Sequence, residues 1–126
     1  MTEKDLKSRT KGFALRVLKL VDVLPDTRSA RVLAGQLGRS GTSVGANYRA
    51  ACRSRSKAEM ISKLSIVEEE ADESAFWLEL LGDHGLMPVD KLAALLDEAG
   101  QLTAIMVASR KTRAARNPKS RIQNRK

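Results

Sequence analysis

Arginine is the residue type whose spacing first suggests chemistry in this chain. Arg28, Arg31, Arg39, Arg49 and Arg53 recur along residues 27–53. At about 100° per residue they fall within about 80° of one another on a helical wheel. They would form a ridge about 37 Å long at ~1.5 Å of rise per residue, and Arg55 follows just beyond it. A guanidinium carries a planar fork of donors that matches phosphate oxygens, so the ridge fits a nucleic-acid backbone. The same arginines also suit solvated charges or partners for carboxylates elsewhere, and both uses stay open. The end of the chain is less ambiguous. Arg110, Lys111, Arg113, Arg116, Lys119, Arg121, Arg125 and Lys126 lie among no acidic residues. Phosphate contacts from such a segment release counterions, giving affinity that falls steeply with salt and reads little sequence. The segment has no aromatic platform for stacking bases, so any preference for single strands has to come from elsewhere. A purely solubilising tail is the alternative.

Catalytic chemistry finds little to work with. The one histidine, His84, sits in Gly82-Asp83-His84-Gly85, a sequence that reads as a helix-ending turn with no second ligand or nucleophile nearby. Cys52 adjoins Arg53, which would lower its pKa, but a small buried thiol packing between helices is the simpler reading. Glu68, Glu69 and Glu70 are consecutive on a predicted helix, so they point in different directions and read as a solvated face. Gly38 to Gly45 resembles a phosphate cradle only superficially, because it lacks the Gly-Lys-Ser/Thr ending and follows no strand. These residues predict no enzyme, no metal site and no cofactor.

The elements that must position the basic residues follow from composition and periodicity. The 126 residues suffice for one domain, with 42% hydrophobic and only 3% aromatic residues, a mixture that favours helix over strand. No apolar run approaches the ~20 residues of a membrane span. A single cysteine and the absence of an apolar leader predict a cytoplasmic protein without disulfides. Charge divides the chain sharply. Residues 1–57 carry 13 basic and 4 acidic residues, residues 58–109 carry 2 and 11, and residues 110–126 carry 8 and none. The first two blocks cancel, and the excess of +8 equals the charge of the tail.

Four amphipathic segments repeat at helical spacing. The first runs from about Thr2 to Leu24 and is stopped by Pro25. The second runs from about Thr27 to Arg53, with Gly35, Gly38, Gly41 and Gly45 on one flank where another helix approaches closely. The third opens at Ser56 with Glu59 three residues later, a capping-box pattern, and ends near Gly82–Gly85. The fourth starts around Pro88, a residue suited to a first helical turn. Short connections predict an all-α, up-and-down antiparallel four-helix bundle over residues 1–112. Residues 113–126 form a basic C-terminal tail, expected to be disordered unless bound. On the third helix, Ile66, Trp77 and Leu80 share the side away from the core stripe with Glu59, Glu69, Glu70 and Glu73. Three large apolar residues there predict an oligomer interface, where arginines of a neighbouring copy would meet these glutamates.

From Leu24-Pro25 through Leu81 the chain resembles a known family. The carriers are Gln36-Leu37-x-Arg39-Ser40-x-x-Ser43-Val44-x-x-Asn47-Tyr48, Cys52-Arg53-Ser54-Arg55-Ser56, the run Glu59 to Glu73, and Trp77-Leu78-Glu79-Leu80-Leu81. They resemble the bacterial four-helix bundle proteins encoded in intervening sequences of 23S ribosomal RNA genes. The same family includes the accessory variability determinant of diversity-generating retroelements. The resemblance implies an up-and-down bundle and a homopentamer. For the retroelement branch it also implies nucleic acid and a reverse transcriptase as partners. It transfers no catalytic residue. One departure is Ala50, where the family usually has an acidic residue. The expected function is therefore a non-enzymatic, oligomeric accessory bundle binding RNA or DNA backbone. The alternative is a protein-interaction or structural bundle whose charged faces serve only self-assembly.

Overall fold

Four helices account for nearly all of residues 1–115, the part of the chain described by the computed structural model: α1 Glu3–Asp22, α2 Arg28–Cys52, α3 Lys57–Asp83 and α4 Val89–Ala115. The first three starts have a chemical cause. The Thr2 hydroxyl accepts a hydrogen bond from the Asp5 amide at 3.1 Å, and the Asp5 carboxylate accepts from the Thr2 amide at 2.9 Å. This reciprocal pair satisfies two of the donors that a helix start leaves open. Thr27 caps α2 through the Ala30 amide, and Ser56 caps α3 through the Glu59 amide. The Glu59 half of the predicted capping box is not formed; only the serine half is present. At the other end of α3, Gly85 adopts a φ of +73°. That left-handed turn lets the Leu86 amide donate back to the Leu81 carbonyl at 2.9 Å, closing the helix as a glycine in this position commonly does. His84 is the exposed C-cap there.

The helices alternate in direction and pack in chain order, α1 on α2, α2 on α3 and α3 on α4, with α1 meeting α4 more sparsely. Phe13, Val17, Leu37, Val44, Leu64, Val67, Leu78, Leu81, Leu92, Leu102 and Met106 fill the interior. By length and composition α4 would qualify as a membrane span, which the run of apolar residues did not suggest. Its stripe of Leu92, Leu95, Ala99, Leu102 and Met106 is buried against the other helices instead. The helix also continues past residue 112 to Ala115, so residues 113–115, predicted to begin the tail, are helical. The remaining tail positions, Arg116, Lys119, Arg121, Arg125 and Lys126, lie outside the described residues.

Each seam is held differently. Between α1 and α2 the backbones approach closely: a Cβ at Gly41 would stand 2.8 Å from a Val17 methyl, and one at Gly45 would stand 3.4 Å from the Thr10 backbone. Gly35 and Gly38, predicted to share that role, face open space. Gly41→Ala should therefore cost about 1–3 kcal/mol through overpacking against a stiff β-branched neighbour. Gly38→Ala should gain about 0.5–1 kcal/mol by stiffening the unfolded chain and improving helix propensity. Denaturant midpoints of the two variants, shifted in opposite directions, check both statements.

Charge pairs close the other three seams. Arg9 of α1 forks onto both carboxylate oxygens of Glu98 in α4, each at 2.7 Å. The glutamate holds the guanidinium pKa above its ordinary value. Arg39 of α2 bonds Glu70 and Glu73 of α3, and Arg110 of α4 bonds Glu68 of α3 at 3.0 Å. A buried Ser40–Ser74 hydrogen bond of 2.9 Å sits beneath the Arg39 group. Two of the three pairs join the basic first half of the chain to its acidic middle, and the third joins that middle to Arg110, the first residue of the basic last block. They show where part of the opposed charge is spent.

Candidate nucleic-acid interface

An even number of alternating helices brings the start of α1, the end of α2, the start of α3 and the end of α4 to one end of the bundle. Contacts between them fix the arrangement. Lys57 Nζ donates to the Ala114 carbonyl at 3.3 Å, and Arg113 approaches Glu3 at 3.9 Å. Lys4, Lys7, Arg49, Arg53, Arg55 and Lys111 are exposed at this end, and Lys57 and Arg113 are half-buried. The acidic residues in the same turns are Glu3, Asp5 and Glu59. The end is thus strongly cationic, and it is the end from which the chain continues into its basic last residues. At the opposite end, Asp22, Asp26, Glu79, Asp83 and Asp90 offset Lys19, Arg28, Arg31 and Lys91. The bundle is electrically lopsided along its axis.

This geometry divides the arginines that the wheel had grouped into one ridge. Arg49, Arg53 and Arg55 join the cationic end with Lys111 and Arg113. Arg28 and Arg31 sit at the far end, where Arg31 pairs with Asp26 of the preceding loop. Arg39 lies midway and is engaged by two glutamates, chiefly Glu70, which raises its pKa. Arg110 is engaged by Glu68. For Arg39, the pairing of an α2 arginine with α3 glutamates, expected across a subunit boundary, occurs inside one chain. Lys4, Lys7 and Lys57 were not anticipated. Their signal was the parity of the helices, which returns residue 4 to the neighbourhood of residue 53.

The apolar residues assigned to an interface are also placed differently. Trp77 and Leu80 are half-buried and packed against the core, and Ile66 is half-buried too. Trp77 and Leu80 share the flank of α3 that carries Glu70 and Glu73, the partners of Arg39 in α2, and Ile66 falls on the same stripe by helical spacing. The indole N–H reaches toward Glu73 at 3.4 Å. Large apolar side chains that do face outward include Phe76, 51% exposed and edge-on to Trp77, with Leu15 and Leu18 of α1 and Val32 of α2. Ala50, at the position usually acidic in the resembling family, is half-buried on α2.

A cleft of about 330 Å³ opens within the cationic end. Leu6, Met60, Leu64, Ile105 and Ala108 supply most of its wall, and Tyr48, Ser109 and Thr112 contribute hydroxyls. Met1, Glu3 and Arg113 complete the lining. Tyr48 is only 3% exposed, and burial, followed by the neighbouring Cys52 thiol, pushes its phenol pKa well above the ordinary value. Cys52 is likewise raised, chiefly by burial, so it is a packing thiol rather than an activated one. Tyr48 is the only tyrosine, which makes its ionisation a probe of the fold. A phenol whose folded pKa is raised contributes stability below its unfolded pKa and loses it as pH climbs toward the folded value. In an alkaline titration, phenolate absorbance should stay silent through the ordinary tyrosine range and then appear together with loss of helical circular dichroism.

The comparisons agree with this architecture. A family model described as "23S rRNA-intervening sequence protein" matches residues 3–108. No curated protein matches. Among solved structures, the chain is similar to a Bacteroides thetaiotaomicron protein described as of unknown function from the S23 ribosomal protein family. The two are 31% identical, and the match covers 88% of this chain and 99% of that one with a TM-score of 0.82. A match over almost the whole bundle, in both sequence and helix order, carries the assignment: the chain belongs to the 23S rRNA-intervening sequence protein family.

Proposed function

We propose that this protein is a non-catalytic binding module that grips the phosphate backbone of RNA or DNA with the cationic end of its bundle. The observation that carries the reading is the convergence of Lys4, Lys7, Arg49, Arg53, Arg55, Lys57, Lys111 and Arg113 on one end. Most of them are exposed there, in contrast to the paired arginines of the seams. Exposed lysines and arginines clustered on one face are the electrostatic footprint of backbone binding. An anisotropy titration against mixed-sequence oligonucleotides at two salt concentrations tests it. Affinity should fall steeply with salt, and the absence of salt-sensitive binding near physiological ionic strength would remove the reading. The retroelement role, with a reverse transcriptase as protein partner, is supported by the resemblance alone; a reverse-transcriptase gene beside this one would strengthen it.

A second reading, self-association, is favoured by the outward apolar residues Phe76, Leu15, Leu18 and Val32. The acidic surroundings of Phe76, with Glu69 and Asp72 on the same side of α3, complement Lys4, Lys7 and Lys11 on the outer side of α1, so a head-to-tail contact between copies suits both. The homopentamer rests on the resemblance. Phe76→Glu should lower the sedimenting mass while leaving helical circular dichroism unchanged; an unaltered mass would take Phe76 out of any such contact.

A further inference from the structure

We propose that the cleft between the start of α1 and the end of α4 receives an unstacked base of a single-stranded nucleic acid whose phosphates lie on the surrounding cationic end. The inference rests on the phosphate reading and adds to it the strand state that the protein prefers.

Three features of the cleft favour that occupant. Its volume, about 330 Å³, lies at the small end of the range typical of ligand sites, roughly 300–1,000 Å³. It can admit a single planar group but not a base pair still stacked in a duplex. The walls are mostly apolar, with Leu6, Ile105 and the thioether of Met60. A polarisable sulfur and flat aliphatic surfaces suit a π-face. The polar residues of the lining are few, Tyr48, Ser109 and Thr112 with hydroxyls and the charged Glu3 and Arg113, and they offer donors and acceptors of the kind a base edge needs. Tyr48 is almost wholly buried and lines the cleft, and among the described residues its hydroxyl has no side-chain or backbone hydrogen-bond partner. A ligand oxygen or nitrogen would supply one.

The rim supplies the other half of a nucleotide site. Arg113 stands 3.9 Å from Glu3, too far for a hydrogen bond, and its side chain remains 43% exposed. Its fork is therefore available to the phosphate attached to an inserted base. An acidic peptide would satisfy the rim, but its carboxylate side chains would leave the apolar walls uncovered. The chain's basic last residues contain no aromatic side chain, so among the described residues this cleft is the feature at the cationic end able to distinguish a free base from a paired one.

The test uses the full chain, a dye-labelled single strand of mixed sequence, and the same strand annealed to its complement. Binding is followed by anisotropy at two salt concentrations. The single strand should bind about tenfold more tightly than the duplex at equal salt, the scale expected for one sequestered base. Ser109→Phe fills the cleft and should bring that ratio close to one without altering the salt dependence. Ala108→Trp, placed at the exposed rim, should do the same, with circular dichroism checking that both variants keep their helices. Equal binding of the two forms by the parent protein would overturn the cleft while leaving the cationic end standing, and so would a preference that survives both fillings. An acidic peptide that competes with the strand on the parent protein but not on Ser109→Phe would reassign the cleft to a protein segment. Loss of all salt-sensitive binding would overturn the phosphate reading as well.

Discussion

Replacing Arg49, Arg53 and Arg55 with alanine together should reduce the slope of log affinity against log salt by about three units. Each arginine lost removes about one phosphate contact and the counterion that contact displaces. At low salt this amounts to a loss of tenfold or more in affinity, with little change in sequence preference, because backbone contacts carry none. The fold should tolerate the change. All three side chains are exposed, and among the described residues none of them forms a salt bridge. Arg49 lies in the last turn of α2, where its charge complements the helix dipole by only about 0.3–1 kcal/mol. The control is Arg28→Ala with Arg31→Ala. It removes nearly as much charge from the opposite end, and the salt slope should be unaffected. An equal loss from both variants would show that net charge, rather than its location at one end, governs binding.

Phe13→Ala should be the most damaging single truncation. Phe13 is 1% exposed in the centre of α1, and it is one of 2 phenylalanines in a chain with 3% aromatic residues. No other aromatic ring lies nearby in α1 to fill the space. Large-to-small substitution at such a site costs about 3–5 kcal/mol, against a total of about 5–15 kcal/mol for a typical domain. The melting temperature should fall by roughly 10–20 °C. Because α1 meets α4 sparsely, the cavity also weakens the helix with the smallest share of the core. Phe76→Ala provides the contrast. That ring is 51% exposed, and its loss should stay within about 0.5 kcal/mol. Thermal unfolding by circular dichroism separates the two.

Much of the fold was legible in the residues themselves. Thr2, Thr27 and Ser56 were visible as helix starts, and Pro25 and Gly85 as stops, because capping chemistry is local. Ile66, Trp77 and Leu80 are covered more than a single buried stripe implies, for a geometric reason. A wheel with one buried stripe suits a helix that packs on one neighbour, but α3 packs on both α2 and α4, so its covered arc is wider. The partners of Arg39 and Arg110 were hidden for a related reason: the glutamates are 31 and 42 residues away, a pairing that only the packed seams create. The cationic end lay in plain view as Arg53-Ser54-Arg55, yet Lys4 and Lys7 join it only when the helices fold back. Charge totals along the chain hid this, because antiparallel packing mixes residues from distant blocks at each end.

The Glu3–Arg113 contact has a practical consequence for anyone handling the protein. The start of α1 and the end of α4 lie at the same pole, so a purification handle or fluorescent fusion joined at either one will crowd the surface that is meant to be free. A circular permutant avoids this by linking the old termini and opening new ones in the turn around Pro25 and Asp26. The new ends would exit at the far pole, and immobilisation there would present the cationic pole outward, unobstructed.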